Sequence, residues 1–117
     1  MSKVSHTLKQ KDNEQAIIRF RRATPDDRAF LLRLRKTSMT DHLNNAGIYL
    51  NDAEHMQRVD EYFTDSHIIF YQHTAIGLLK LGQFPGKIHL RQFQLLPECH
   101  NLGIGSRVLG LIKRKAQ

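Results

Sequence analysis

The chain has 117 residues and carries 18 Lys and Arg against 11 Asp and Glu, which gives a formal net charge of +7. Hydrophobic residues make up 40% and charged residues 25% of the sequence, a composition that is typical of one globular domain and excludes an intrinsically disordered chain. No apolar run approaches the ~20 residues of a membrane-spanning helix, the polar N-terminus is not that of a secretory signal, and the single cysteine excludes an internal disulfide, so we expect a cytoplasmic protein.

The first predicted element is a strand that begins at Ala16. Residues 1–15 before it are polar and lack periodicity, so we expect a flexible lead-in followed by one domain over residues 16–117. Within the strand, Ile18 and Phe20 alternate with arginines, which is the pattern of a half-buried strand.

Two helices are predicted next. Thr24 and Pro25 are typical of a helix start, with a capping hydroxyl followed by proline in the first turn. The buried side of this helix is predicted to contain Phe30, Leu31, Leu34 and Ser38. A loop is predicted over Thr40–Leu50, where Asn and Gly interrupt the helical pattern, and the second helix is predicted to begin at Asn51 or Asp52.

Three apolar segments then predict three consecutive strands, over residues 68–71, 75–81 and 87–96. The breaks between them, near His73 and at Gly82–Gly86, are short enough for hairpins. The middle strands are apolar on both faces, which indicates a sheet covered by helices on each side.

A glycine-containing loop leads into the last helix, predicted over Gly103–Gln117. The strand before it ends at Leu95-Leu96-Pro97, and Gly103-Ile104-Gly105 precedes the helical pattern. A loop that turns directly into a helix presents unpaired N–H groups at the positive end of the helix dipole, which favours an anion such as phosphate. A Rossmann fingerprint is excluded by Val108 in place of its third glycine, and a Walker loop by the absence of Lys before Ser106. This pattern alone leaves an anion site and a ligand-free turn equally open.

The end of the sequence resembles the GNAT superfamily of acetyl-CoA-dependent N-acetyltransferases. The family signature is Gln/Arg-x-x-Gly-x-Gly/Ala after a strand that ends in aliphatic-x-Pro. Leu95-Leu96-Pro97 matches the strand end, Gly103 and Gly105 match the two small positions, and His100 departs from the usual Gln or Arg. The resemblance implies an α/β (α+β) fold in the order β-α-α-β-β-β-α, with a mixed, mostly antiparallel sheet flanked by helices. The family's further C-terminal strands are not in this sequence, so we expect a shortened member or one completed by a second chain.

The resemblance also implies the chemistry: acetyl transfer from acetyl-CoA to an amine of a small molecule or peptide. It assigns the thioester and pantetheine to the main chain at the end of the fourth strand, and the diphosphate to N–H groups of the following loop. The residues so assigned are Leu95, Leu96, Asn101, Leu102, Gly103, Ile104, Gly105 and Ser106.

No catalytic residue is assigned by the sequence. Some family members place a Glu on the fourth strand six residues before the position of Leu95, where this chain has His89. Imidazole commonly takes up a proton near neutral pH, so His89 is a candidate base, and a surface histidine is the alternative. Simple alternation predicts one strand face with His89, Arg91, Phe93 and Leu95. Gln92 and Gln94, on the opposite face, would instead position a water.

The remaining expectations concern partners. The polar stretch Asp41–Tyr49 lies where family members contact the acceptor, and the edge of the fourth strand predicts a homodimer. No metal is expected, because the histidines lack metal-ligand spacing. Cys99 and His100 are neighbours in sequence, which seldom gives the geometry that activates a thiol. Nucleic acid is not expected, since the basic residues are scattered. A catalytically silent coenzyme-binding or regulatory module stays open as the alternative.

Overall fold

The computed structural model describes residues 17–116, so the predicted lead-in over residues 1–15 lies outside the described residues. The described elements follow the predicted order and form one four-stranded antiparallel sheet with strand order β1-β2-β3-β4. Single 3-10 turns precede the first helix, follow the second and follow β4. The strands and helices are β1 Ile18–Arg22, α1 Arg28–Asn45, α2 Asp52–Asp60, β2 Ser66–Tyr71, β3 Thr74–Phe84, β4 Lys87–Leu95 and α3 Ile104–Ala116.

Helices cover both faces of the sheet, as the apolar middle strands predicted. On one face, which we call the α3 face, Ile104 and Val108 of α3 pack in a cluster with strand residues such as Leu79. On the other, the α1–α2 face, Leu34 of α1 and Val59 of α2 pack in a cluster with residues of β2 and β3. The sheet is therefore the middle layer of three.

The first helix extends further than predicted. The prediction of a loop from Thr40 is wrong, because α1 continues to Asn45. Gly47 ends the helix with a φ of 79°, and the N–H of Ile48 donates to the carbonyl of Leu43 at 2.8 Å. This is a Schellman arrangement, in which the glycine belongs after the helix and the asparagines before it still fit in the last turn. The start of α2 is as predicted, with Asn51 accepting from the N–H of Glu54.

The third strand is also longer than predicted. Gly82 was expected to break the chain, but β3 continues through it to Phe84. The reversal instead uses Pro85 and Gly86, and Gly86 takes a φ of 76°. Among residues 17–116, no helix is long and apolar enough to cross a membrane.

Candidate functional site

The loop between β4 and α3 is built by local turns. The N–H of Cys99 donates to the carbonyl of Leu96 at 2.8 Å, and the N–H of His100 donates to that of Pro97 at 3.1 Å. Asn101 and Gly103 then take positive φ values of 63° and 79°, which turns the chain into the start of α3. Asn tolerates this left-handed region better than most residues and Gly adopts it freely.

Six successive N–H groups of this loop and helix start are unpaired within the described part of the chain. None of the N–H groups from Asn101 to Ser106 donates to a residue in the range 17–116, and the first backbone bond of the helix is from Arg107 to Gly103. The first turn of α3 also contains no acidic side chain. Unpaired donors at the positive end of a helix dipole attract an anion.

Within the described residues, β4 is the last strand of the sheet, and its main chain offers further donors and acceptors at this open edge. Leu96 is used internally, because its N–H donates to Ile76 and its carbonyl accepts from Cys99, each at 2.8 Å. In an antiparallel ladder, paired residues alternate between bonded and non-bonded pairs. Since Leu96 bonds across to β3, Leu95 and Phe93 direct their main-chain groups to the open edge. Leu96 can therefore contact a ligand only through its side chain. Phe93, in contrast, presents its main-chain N–H and carbonyl at the open edge.

Sequence reasoning missed Phe93, because only the pairing register identifies it. The predicted residues of the loop itself are distributed around the helix start. Ile104 is buried, Gly105 is half-buried, and Asn101, Leu102, Gly103 and Ser106 are exposed.

Cys99 and His100 do not form a reactive pair. The side chain of Cys99 is buried, and burial raises the pKa of its thiol to about 12. His100 Nε2 lies 3.1 Å from the carbonyl oxygen of Leu95, so that the Nε2–H tautomer of the ring donates to it. The imidazole thus ties the loop to the end of β4, while burial keeps the thiol protonated near neutral pH.

A basic groove continues along α3. Arg107, Gly110, Leu111 and Arg114 line an open groove of about 360 Å³ on the outer side of this helix. The two arginines place positive charge within reach of a second anionic group bound near the helix start.

A β-bulge in β4 changes the predicted arrangement of the strand's side chains. Lys80 pairs with Gln92 and the next residue, Leu81, pairs with Leu90, so that Arg91 is an extra residue in β4. Residues that pair across two strands lie on the same face of the sheet, and successive residues along one strand lie on opposite faces. One extra residue in β4 therefore reverses the expected faces of the residues on one side of the bulge relative to those on the other.

The bulge corrects the prediction for His89. His89 pairs with Gly82, whereas Phe93 pairs with Leu79, and these two β3 residues lie on opposite faces. His89 therefore does not share the face of Phe93 and Leu95, which is the α3 face. It lies on the α1–α2 face, where the packing of Arg91 against Gly82 places Arg91 too.

The α1–α2 face of β4 consequently presents a polar row, which consists of His89, Arg91, Gln92 and Gln94. Gln94 Oε1 and Ser38 Oγ are buried oxygens without a hydrogen-bond partner among the described residues. A buried polar atom without a partner costs roughly 1–3 kcal/mol, so each is a place where a water or a ligand N–H would be stabilised.

The stretch predicted to contact the acceptor contains the last turn of α1 and the α1–α2 connection. Asp41 and His42 are helical and exposed, and Tyr49 is the most exposed of the large apolar residues in the described range, at 74%. No group of side chains within residues 17–116 has the composition of a metal site.

Comparison with known proteins identifies the fold. No family model and no curated protein matches the sequence. A PaiA N-acetyltransferase from Thermoplasma acidophilum in complex with coenzyme A is 19% identical, with a TM-score of 0.61 over 86% of this chain and 72% of that one. An acetyltransferase from Thermus thermophilus is 16% identical, with a TM-score of 0.62 over 83% of this chain and 68% of that one.

Aminoglycoside N-acetyltransferase AAC(6′)-Iy in complex with CoA is also similar, at 17% identity and a TM-score of 0.53 over 85% of this chain and 68% of that one. At identities of this size, the structural likeness shows the fold alone. The chain has the fold of the GNAT acetyltransferases, and the predicted fold class is confirmed.

Proposed function

We propose that this protein is an N-acetyltransferase that transfers the acetyl group of acetyl-CoA to an amine. The observation that carries the proposal is the run of unpaired N–H groups from Asn101 to Ser106, placed at the end of an open-edged strand within this fold. Two of the similar structures contain coenzyme A, which supports the same ligand here.

The residues present fit coenzyme A. The diphosphate matches the loop N–H groups and the acid-free first turn of α3. The amide-rich pantetheine arm matches the main-chain groups of Phe93 and the N–H of Leu95, whose carbonyl already accepts from His100, with the side chain of Leu96 beside it. A further phosphate matches the groove with Arg107 and Arg114. All three features follow one another along the chain.

The direction of β4 supports one position for the acetyl group. With the diphosphate beyond the C-terminal end of the strand, the arm runs along the open edge toward the bulge at Arg91. The acceptor amine then lies beside the polar row, on the side of α1 and α2. A water held by Gln92 or Gln94 would receive the amine proton, because about 20 Å of extended strand places His89 beyond direct reach of a group at Leu95.

The transfer itself is balanced by the two substrates. The amine nitrogen bonds to the acetyl carbon, the carbon–sulfur bond breaks with its electron pair on sulfur, and one amine proton finally protonates the thiolate. The chain's contribution is to polarise the carbonyl with main-chain N–H groups of β4 and to move this proton.

We also propose that two copies pair through β4 in a homodimer and that the reaction takes place in the cytoplasm. Pairing at the first half of the strand, near Lys87, would leave Phe93 and Leu95 free for the coenzyme. Size-exclusion chromatography with light scattering tests the dimer, and a monomer at micromolar concentration contradicts it.

The function is tested in two stages. Calorimetry with acetyl-CoA first measures binding, and release of free thiol with a panel of amines then measures transfer. Binding with amine-dependent thiol release supports the enzyme. Binding without release from any amine supports the catalytically silent alternative, and absence of binding contradicts both.

A further inference from the structure

The guanidinium of Arg91 is held more firmly than an ordinary surface arginine. Its Nε donates to Asp65 Oδ2 at 2.9 Å, and its central carbon lies 3.9 Å from the centre of the Tyr62 ring. Its other face lies against Gly82, where a Cβ would come within 3.0 Å of the guanidinium. Gly82, near the end of β3, therefore makes room for the arginine to lie flat across the strand.

The segment that contains Tyr62 has a strained backbone, which neighbouring hydrogen bonds stabilise. Tyr62 takes a positive φ of 52°, which costs a non-glycine residue about 1–2 kcal/mol. Lys80 Nζ stabilises the adjoining chain by donating to the carbonyls of Arg58 and Val59 at 3.1 Å and of Glu61 at 2.6 Å. Strain that the surrounding structure maintains is common at ligand sites.

The outer edge of the guanidinium is available to a ligand. Neither Nη1 nor Nη2 donates a hydrogen bond to any residue between 17 and 116, and the side chain of Arg91 is 23% exposed. An open pocket of about 340 Å³ adjoins it, lined by Phe84, Lys87, Ile88, His89 and Arg91. Phe84 lies 45% exposed, and the Lys87 ammonium lies 5.9 Å from the centre of its ring.

We infer that Arg91 binds a carboxylate of the acceptor, so that the acceptor is an amine that also carries a carboxylate group. This inference rests on the proposed function only in identifying the bound molecule as the acceptor, because binding of a carboxylate at Arg91 does not require coenzyme. A planar guanidinium with its two outer nitrogens free matches a planar carboxylate with two parallel hydrogen bonds. His89, the cross-strand partner of Gly82, lies beside the bound group.

The charged side chains around Arg91 favour a ligand with one negative charge. Asp65 already matches one positive charge of the cluster formed by Arg91 and Lys87. A carboxylate therefore neutralises the site, whereas a doubly charged phosphate would add repulsion with Asp65. Stacking on Tyr62 and contact with Gly82 fix the guanidinium before binding, which lowers the entropy lost on binding.

Direct binding gives the first test, on the wild-type protein without coenzyme. Propionate is titrated while the backbone amide signals of Gly82 and His89 are followed by NMR, with propionamide as the neutral match and inorganic phosphate as the more highly charged one. We expect propionate to shift these signals with a Kd roughly ten- to a hundredfold below that of propionamide. Equal effects of propionate and propionamide overturn the inference, and tighter binding of phosphate overturns the choice of carboxylate.

Variants give the second test. Arg91→Lys keeps the charge and removes the planar fork, so the preference for propionate over propionamide, read from the same backbone amides, should fall to within about threefold. Arg28→Lys is the matched control, because Arg28 also pairs with an aspartate, Asp60, but at an exposed position. A preference that survives in Arg91→Lys, with the melting temperature of both variants near wild type, overturns the inference.

Turnover separates this inference from the proposed function. Thiol release from acetyl-CoA is compared for β-alanine and β-alaninamide. A higher kcat/KM for β-alanine that is lost in Arg91→Lys supports both proposals. Release that does not distinguish the two amines supports the transferase and contradicts the carboxylate site. Absence of acetyl-CoA binding contradicts the transferase, while the propionate titration still decides the role of Arg91.

Discussion

Placing an acid at the start of α3 should stabilise the protein and weaken coenzyme binding at the same time. Ser106 is the third residue of α3 and is exposed, and the first turn of this helix has no acidic residue. Ser106→Glu adds a negative charge beside the unpaired N–H groups. The charge is favourable to the helix dipole and unfavourable to a diphosphate bound at the same place.

The two effects have different sizes. An acid in the first turn stabilises a helix by about 0.3–1 kcal/mol, which raises the Tm of a domain of this size by a few degrees. Two unit charges 4 Å apart interact by about 1 kcal/mol in water and about 4 kcal/mol in a partly shielded site. We therefore expect acetyl-CoA to bind roughly ten- to a hundredfold more weakly to Ser106→Glu.

Calorimetry and thermal unfolding measure the two quantities on the same samples. Ser106→Gln is the control, because it has nearly the same shape without the charge, and it should bind within about threefold of wild type. A Ser106→Glu protein that is as stable as wild type or more so, and binds acetyl-CoA equally well, refutes the placement of the diphosphate. Equal losses in both variants indicate a steric effect and refute the electrostatic argument.

Three further predictions concern buried groups. Lys80→Met removes the donor to the end of α2 while keeping an apolar stem, and should lower the free energy of unfolding by roughly 1–3 kcal/mol in urea titration; an unchanged midpoint contradicts this. Burial lowers the pKa of His55, whose ring nitrogen accepts a hydrogen bond from Arg35 Nε at 3.1 Å. The contribution of His55 to the free energy of unfolding should therefore be complete above pH ~6.5 and fall as the pH drops below this value. His55→Gln should flatten the dependence of stability on pH, and an equal dependence in both proteins argues against this role of His55. The Cys99 thiol, with a pKa of about 12, should react with a thiol reagent at pH 7 only after denaturation, so rapid labelling of the folded protein would be inconsistent with its burial.

Local signals were sufficient to predict the order of the elements. Asn51 starts α2 where the sequence places a capping residue, and the glycine loop starts α3 within one residue of the prediction. Such signals act over a few residues and depend little on the remainder of the chain. The same locality explains the error in α1: Asn44 and Asn45 are poor helix formers, but Gly47 decides where the helix ends.

The candidate site was less predictable, because it depends on how the strands pair. Alternation along β4 predicted that His89 shares a strand face with Leu95. The extra residue at Arg91 instead places His89 on the opposite face. A bulge has no dependable sequence signal, since the pairing of two whole strands fixes it. Gly82 was interpreted as a break for the same reason. A glycine is needed there because the guanidinium of Arg91, from the neighbouring strand, occupies the space of a side chain, and nothing in the segment around Gly82 indicates this.

The proposed function depends most on the main chain from Asn101 to Ser106 binding the diphosphate of coenzyme A. Backbone amide NMR spectra, recorded during titration with coenzyme A, test this binding most directly. We expect the largest shifts on these six N–H groups, together with those of Phe93 and Leu95. Saturable binding that leaves these signals in place, or no binding at millimolar coenzyme A, would contradict it.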